Sequence, residues 1–442
     1  MCWTRSCATR PSPWPTRRRS LVMKSIITES WLLASAILGL IGFSSGSAAL
    51  VIIAALLFGT GALARLWKRV CLERVVYSRV LTEHRLFVGE RTAMTITLEN
   101  RKPLPVPWIE VRESLPRGMP VTGVRTHAGG TPGTQTLQRG AALGMHDRLD
   151  WPLELRAVRR GYFRVGPTRL RSGDLFGFFE REEEVGRPID GITVYPHTYP
   201  LGDLGFDSAR PFGDHRGGSR IYEDPSRVVG VRDYLPGDPM KRIDWHATAR
   251  LGRTQSKLYE PSRTQAMVIA LNIPTFDHSW QGSDPVLLER GVSVAASIAR
   301  WASEAGASIG LVANGSFPDA DRTIHIGAGR RPDQLNRVLE ALAMVTSFTT
   351  GEMSEALEDP RHSIPAGATI VLVAAVLPAD IVDTLRRLRA RGHRIHIVKT
   401  STRVWDTDPA PIPVVEVAAT VEALEAEAVA AGWMERPEGA LV

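Results

Sequence analysis

The chain has 442 residues, of which 43% are hydrophobic and 23% are charged, as in ordinary folded proteins with room for two or three domains. Its three cysteines, Cys2, Cys7 and Cys71, have neither disulfide nor metal-binding spacing, which argues against a cysteine-stapled or cysteine-metal protein. The net charge of +7 and the pI near 9.6 favour an anionic partner, either lipid headgroups or nucleic acid. Because much of the excess lies beside apolar segments near the N-terminus, we favour lipid.

The first segment, residues 1–22, contains three prolines and the run Arg17–Arg19 without hydrophobic periodicity. Two interpretations remain open. The segment is a disordered basic tail, or the start is mis-assigned and translation begins at Met23. We favour the second, because Met23 leads directly into apolar sequence.

Residues 23–70 contain two apolar runs, 31–43 and 48–67, separated by a short serine and glycine linker. The second run has about the ~20 residues that cross a bilayer, so the pair predicts a transmembrane helical hairpin. A buried hairpin of a soluble protein and a signal peptide are the alternatives. Basic residues flank both ends of the pair, which predicts that both ends lie in the cytoplasm.

Residues 75–200 change to short runs of alternating hydrophobicity, separated by Pro and Gly, at 92–98, 106–111, 149–155 and 162–170. Many short strands with such turns predict a β-sandwich. No residues in this segment have a spacing typical of catalysis.

Residues 201–262 begin with a glycine-rich and charged stretch, 203–218, that we interpret as a linker or surface loop. The run Tyr234-Leu235-Pro236-Gly237 predicts a turn. Asp238 then occupies a helix N-cap position with Pro239 at N1, and Gly252 is a suitable C-terminal stop. We therefore predict a helix over 239–251, followed by a strand over 254–259.

This predicted helix is densely charged, which leaves three interpretations open. It is a solvated helix with surface ion pairs, or a partly buried cluster of Asp244, Trp245 and an arginine that locks two domains together. The third is a catalytic site formed by Asp238, Asp244 and His246. The charged and aromatic residues concerned are Lys241, Arg242, Asp244, Trp245, His246 and Arg250.

Residues 263–435 alternate between apolar strands and amphipathic helices. This order predicts right-handed crossovers and a doubly wound parallel sheet with helices on both faces. The predicted strands are 266–273, 308–313, 323–326, 368–377, 394–399 and 414–417, and the predicted helices are 287–305, 332–345, 379–391 and 421–431.

The central segment resembles the bacterial and archaeal family called domain of unknown function 58. The residues that carry this resemblance are Tyr234, Gly237, Asp238, Arg242, Asp244, Trp245, Arg250 and Glu260. The order of the predicted segments also agrees with that family: a paired membrane anchor, a β-rich segment, this motif, and an α/β domain similar to von Willebrand factor type A. The whole chain is thus expected to be a multidomain protein.

The resemblance to von Willebrand type A domains implies a metal site at the carboxyl edge of the sheet, beginning D-x-S-x-S after the first strand. Here the corresponding positions are Asn272, Pro274 and Phe276. Proline and phenylalanine offer no side-chain oxygen to a hard cation, so we expect no metal there. A weak site rebuilt from Asn272, Thr275 and Asp277 is the alternative.

The resemblance implies association with MoxR-type AAA+ ATPases and a role in the assembly or maturation of protein complexes. We therefore expect a non-enzymatic scaffold or adaptor in the bacterial inner membrane, with its soluble domains in the cytoplasm and no cofactor. Its expected partners are the lipid bilayer, such an ATPase and other membrane or envelope proteins, without nucleic acid. The alternatives are a hydrolase using Asp238, Asp244 and His246, or a polyanion-binding protein whose binding weakens steeply with salt.

Overall fold

A computed structural model describes residues 33–174, 179–185, 189–206, 212, 222–235, 238, 240–262, 266–317, 323–361 and 364–431. The segment 1–22 and Met23 lie outside these ranges. The chain divides into two compact units. The first, which we call the β-rich unit, comprises Met1–Thr82, Thr92–Leu155 and Arg164–Asp190, and the second, the α/β unit, comprises Glu83–Arg91, Arg156–Phe163 and Gly191–Val442.

Two apolar helices open the described part of the β-rich unit: α1 (Leu33–Ser44) and α2 (Ala48–Val70). Only α2 is long and apolar enough to cross a membrane, with a mean hydropathy of 2.1 over its most apolar window. A Cβ added to Gly39 would lie 3.4 Å from the Cβ of Ala54, so small residues allow the two helices to approach closely. The residues that the structure describes therefore contain one possible membrane span.

Two antiparallel sheets follow, with the strand orders β1-β3-β7 and β10-β9-β4-β6-β5. Alternate residues of β3 and β4 are buried, as the sequence pattern predicted. Leu98 of one sheet and Val111 and Leu170 of the other belong to a single buried cluster. The strands are β1 (Val75–Leu81), β3 (Arg91–Asn100), β4 (Val106–Pro116), β5 (His127–Ala128), β6 (Thr134–Leu143), β7 (Arg148–Arg156), β9 (Thr168–Gly173) and β10 (Glu180–Val185).

The α/β unit contains most residues of a small three-stranded sheet, β2-β11-β8, and a two-stranded antiparallel sheet, β12-β13. β13 was predicted from the sequence, whereas β12, which lies within the segment interpreted as a linker and motif, was not. The strands are β2 (Arg85–Phe87), β8 (Gly161–Val165), β11 (Asp190–Tyr195), β12 (Tyr222–Asp233) and β13 (Gln255–Ser262).

The main sheet of the α/β unit has six strands in the order β16-β15-β14-β17-β18-β19. The prediction of a parallel sheet is wrong at one strand, because β16 pairs antiparallel with β15. The connection between them contains no crossover helix in the described residues, and a direct return reverses the strand direction. The strands are β14 (Ala266–Leu271), β15 (Ser308–Ala313), β16 (Ile324–Gly329), β17 (Thr369–Ala374), β18 (Arg394–Lys399) and β19 (Val414–Glu416).

Alternate residues of the central strand β14 belong to two different buried clusters. Met267, Ile269 and Leu271 pack in one cluster, whereas Val268 and Ala270 pack in the other. Since successive side chains of a strand point to opposite faces, both faces of the sheet are covered by helices. Those helices are α4 (Pro285–Glu304), α5 (Gln334–Met344), α6 (Met353–Glu358), α7 (Ala379–Ala390) and α8 (Ala418–Ala430).

Candidate functional site

Residues 230–262, which we call the motif segment, contain a short helix, α3 (Trp245–Leu251), between β12 and β13. Asp244 is the N-cap of α3, and its carboxylate accepts from the backbone N–H groups of His246 at 3.1 Å and Ala247 at 3.0 Å. Gly252 ends the helix with φ of 65°, as predicted. The predicted helix over 239–251 with Asp238 as its cap is therefore wrong, because a 3₁₀ turn, Met240–Arg242, precedes α3.

Asp238 instead closes the turn before that 3₁₀ segment. Its carboxylate accepts from Arg232 Nη2 at 2.8 Å and from the backbone N–H of Leu235 at 3.1 Å. The hydroxyl of Tyr234 donates to the Asp238 carbonyl at 3.1 Å. The bond from Arg232, followed by the one from Leu235, holds the pKa of Asp238 below its usual value. Gly237 lies outside the described residues.

Trp245 is 67% exposed, so the predicted buried cluster of Asp244, Trp245 and an arginine is wrong. The capping bonds of Asp244 account for this difference, because its carboxylate satisfies backbone groups of the first helical turn. The motif segment exposes several other large apolar side chains. They are Val231, Leu235, Met240 and Leu251.

The remaining motif residues lie around α3 without converging on a cavity among those that the structure describes. Arg242 is half-buried in the 3₁₀ turn, and its charge helps to lower the pKa of Asp238 after the bonds from Arg232 and Leu235. Arg250 is exposed in the last turn of α3. Glu260 lies in β13, opposite Asp224 of β12.

Gln255 connects α3 to the two-stranded sheet through hydrogen bonds. This role was not predicted from the sequence. Gln255 is buried, and its side chain donates to Asp233 Oδ1 at 2.6 Å. Its backbone N–H donates to Thr248 Oγ1 at 2.9 Å, and its carbonyl accepts from Asp244 N at 2.9 Å. A glutamine at the start of a predicted strand gives no sequence signal for this role.

The hydrolase alternative required Asp238, Asp244 and His246 to act together. Both carboxylates are already bound, Asp238 by Arg232 and Asp244 by the first turn of α3. The pKa of Asp244 is lowered, chiefly by its bond from Ala247 N, so both carboxylates are weak bases. These contacts give the alternative no support.

The carboxyl edge of the six-stranded sheet contains the positions of the implied metal site. Asn272 is buried, and its Oδ1 accepts from Asn314 Nδ2 at 3.0 Å. Thr275 Oγ1 accepts from the backbone N–H of Asp284 at 2.7 Å. The cavity beside them measures about 10 Å³, barely enough for a water molecule. With Pro274 and Phe276 offering no side-chain oxygen, these residues do not fit a divalent cation.

An arginine lies at this edge. The guanidinium of Arg403, in the loop after β18, lies 4.3 Å from the ring centroid of Phe276 and donates to the Thr275 carbonyl at 3.1 Å. Elsewhere in the described ranges, no group of three or more His, Cys, Asp or Glu side chains could hold a metal ion.

The fold and the motif segment together define an α/β domain preceded by a short capped helix on a two-stranded sheet. A family model described as "Protein of unknown function DUF58" matches residues 230–431. Residues 230–431 are therefore similar to the DUF58 family, as the motif residues predicted. The match to the family model begins at residue 230, so the resemblance of the earlier segments to this family stays a prediction.

A relative in Bacillus subtilis (strain 168), "Uncharacterized protein YeaD", is 27% identical over 246 residues. The match covers 54% of this chain and 55% of that protein, so it spans about half of the relative's length.

Solved structures are similar over smaller parts of the chain. The cupredoxin domain of amoB from Nitrosocaldus yellowstonii is 10% identical, with 28% of this chain and 87% of that chain covered and a TM-score of 0.19. A CARDB domain from Pyrococcus furiosus is 12% identical, with coverages of 28% and 90% and a TM-score of 0.19. Similarities with so low a TM-score carry no argument.

Proposed function

We propose that this protein is a membrane-anchored, non-enzymatic scaffold or adaptor that works with a MoxR-type AAA+ ATPase in the assembly or maturation of protein complexes. The ATPase is proposed as a partner because the family resemblance implies it. The observation that carries the rest is the exposed apolar surface of the motif segment, where Trp245 is 67% and Met240 71% exposed. Large apolar side chains left in water are typical of surfaces that a partner covers.

The membrane anchor in this proposal is the hairpin of α1 and α2. The length and apolar composition of α2 support a span, and the small residues between the two helices support their pairing. Lys68 and Arg69 lie in the last turn of α2. Under the positive-inside rule, these charges favour a cytoplasmic position for the following domains.

The finer fold assignments also belong to this proposal. The cluster shared by the two antiparallel sheets supports a β-sandwich for the β-rich unit. In the six-stranded sheet β14 is followed on one side by β15 and β16 and on the other by β17, β18 and β19. This strand order supports similarity to von Willebrand factor type A. Both domains would then present surfaces to partners rather than a reaction centre.

Isolation from native membranes in the presence of a non-hydrolysable ATP analogue tests the partner directly. We expect a MoxR-type ATPase to co-purify with the wild type and to be strongly depleted with the double variant Met240→Ala/Trp245→Ala. Met145→Ala is a matched control, because Met145 is 64% exposed but lies in the β-rich unit. If no ATPase is retained, or if the double variant and the control retain it equally, the proposed role of the motif segment is wrong.

The orientation can be tested separately with a reporter fused after Val442. We expect cytosolic reporter activity and protection from protease added outside intact cells. Cleavage of the reporter from outside would contradict the proposed topology without bearing on the ATPase.

A further inference from the structure

The carboxyl edge of the six-stranded sheet exposes three large apolar side chains on three different loops. Trp280 follows β14 and is 80% exposed, Val404 follows β18 and is 89% exposed, and Phe348 follows α5 and is 75% exposed. Since β14 and β18 both run parallel to β17, their carboxyl ends lie at the same edge. In open α/β sheets this edge is where ligands bind.

Backbone hydrogen bonds connect the loop of Phe348 to the same edge of the sheet. The backbone N–H of Ser316, which follows β15, donates to the Phe348 carbonyl at 3.1 Å. The backbone N–H of Thr350 donates to the carbonyl of Asn314 at 2.9 Å, and the Asn314 side chain in turn bonds to Asn272. These bonds connect the Phe348 loop to the ends of β14 and β15, and we call the three loops together the edge surface.

Arg403 is the positive charge of the edge surface, and its position is fixed from two sides. Its guanidinium lies over the Phe276 ring, and one of its N–H groups donates to the Thr275 carbonyl. Across the described ranges Arg403 forms no ion pair, although Asp277 and Asp406 lie on the same loops. A guanidinium has five N–H donors, so several remain for a planar acceptor such as a carboxylate.

We propose that the edge surface binds a protein segment that carries one carboxylate between apolar residues. The carboxylate pairs with Arg403, and the apolar residues pack on Trp280, Phe348 and Val404. Trp280 is positioned for this contact by its stacking on His278, with ring centroids 5.8 Å apart. This arrangement puts a fixed arginine at the edge where a metal ion does not fit.

The charges of the edge surface favour a protein segment over an anionic membrane. Surfaces that recognise anionic lipid use clusters of about four to eight basic residues, whereas here one arginine lies on loops that also carry Asp277 and Asp406. A single carboxylate among apolar side chains matches one arginine among three apolar side chains.

Selection from a random peptide library on the full-length protein in nanodiscs tests the proposal. We expect the enriched peptides to carry Asp or Glu flanked by apolar residues. Fluorescence polarisation with one such labelled peptide should show binding that Arg403→Gln weakens by at least roughly tenfold, since a charge-assisted hydrogen bond is lost. Replacing the acidic residue of the peptide by its amide should weaken binding to the wild type similarly, which removes any dependence on the folding of the variant.

Arg361→Gln is the matched control, because Arg361 is an exposed arginine in the segment before β17, whose residues approach the opposite edge. It should bind the peptide like the wild type, and EDTA should have no effect. Peptides without acidic enrichment, unchanged binding by Arg403→Gln, or loss of binding in EDTA would each overturn the proposal. Flotation of the wild type with phosphatidylglycerol vesicles that depends on Arg403 would also overturn it, in favour of a lipid surface. No outcome depends on the ATPase.

Discussion

The motif segment and the β-rich unit use charged side chains differently. In the motif segment Asp238 pairs with a partly exposed Arg232, and Asp244 caps a short helix. In the β-rich unit, by contrast, the side chains of Arg79 and Glu113 are 2% and 0% exposed. The region with the more conspicuous sequence thus has these charges near water, whereas the less conspicuous one buries an arginine–glutamate pair.

Tyr77, Arg79, Glu113 and Thr168 form the buried set, which we call the Glu113 network. Tyr77 and Thr168 each donate to Glu113 Oε2 at 2.6 Å, while Arg79 pairs with Glu113 Oε1. Arg79 also bonds to Asp190 at 2.7 Å. Burial and then the charge of Glu113 raise the pKa of Tyr77, so its hydroxyl remains a donor at neutral pH. The network joins β1, β4 and β9, and it includes the bond to Asp190 of the same unit.

The difference teaches that burial, rather than the density of charge in the sequence, decides what a charged residue contributes. When an exposed ion pair is broken, water replaces the lost contacts, so the free energy of unfolding changes little. A buried carboxylate that loses one of its partners has no water to replace it. Three changes test this distinction, beginning with the largest expected effect.

Glu113→Gln should destabilise the β-rich unit by roughly 3–5 kcal/mol, because it leaves the buried charge of Arg79 without its main partner. Hydrogen exchange followed by mass spectrometry of peptides from β1 and β4 measures this locally. The control is Glu110→Gln on the same strand, where the Glu110 side chain is 17% exposed and pairs with Arg112. Equal loss of protection in the two variants would show that burial of the network is not what matters.

Lys102→Met should have an intermediate effect, because Lys102 is a buried cation whose ammonium group has only carbonyl partners among the described residues. Its Nζ donates to the carbonyl of Val70 at 2.5 Å and to that of Cys71, at the end of α2. Loss of these charge-assisted bonds should cost about 1.5–3 kcal/mol and speed exchange in a peptide spanning residues 69–74.

The neighbouring exposed Arg101, which pairs with Glu99, provides the control for this change. Arg101→Met should leave exchange at the end of α2 unchanged. If both variants speed it equally, the buried position of Lys102 has no special importance for that helix end.

The alternation of inward and outward residues along β1 and β4 indicates the Glu113 network in the sequence. Glu113 falls between Val111 and Leu115 in the inward register of β4, as Arg79 does between Tyr77 and Leu81 in β1. A charged residue at an inward position predicts a buried partner. Which partner it finds depends on strand pairing across the sheets, and a single sequence does not specify that pairing.

The existence of most strands and helices of the α/β unit was predictable for a similar reason, because their apolar runs are long and periodic. The antiparallel direction of β16 was not predicted, although the missing helix between β15 and β16 indicated it. The cap of α3 was ambiguous, since Asp238 and Asp244 are both followed by helix-compatible residues. Only the pairing of Asp238 with Arg232 in β12 decides between them, and β12 itself was missed.

The smallest expected effect separates these two aspartates. Asp244→Ala removes the acceptor for two N–H groups of α3, so exchange of the amides in Trp245–Leu251 should become roughly fivefold faster. Asp244→Asn should remain close to the wild type, because asparagine caps helices as well as aspartate does. Asp238→Ala should leave α3 protected and loosen only the preceding turn, where Leu235 N loses its acceptor. If Asp238→Ala frays α3 while Asp244→Ala does not, the assignment of the cap to Asp244 is wrong, and the helix begins where the sequence first placed it.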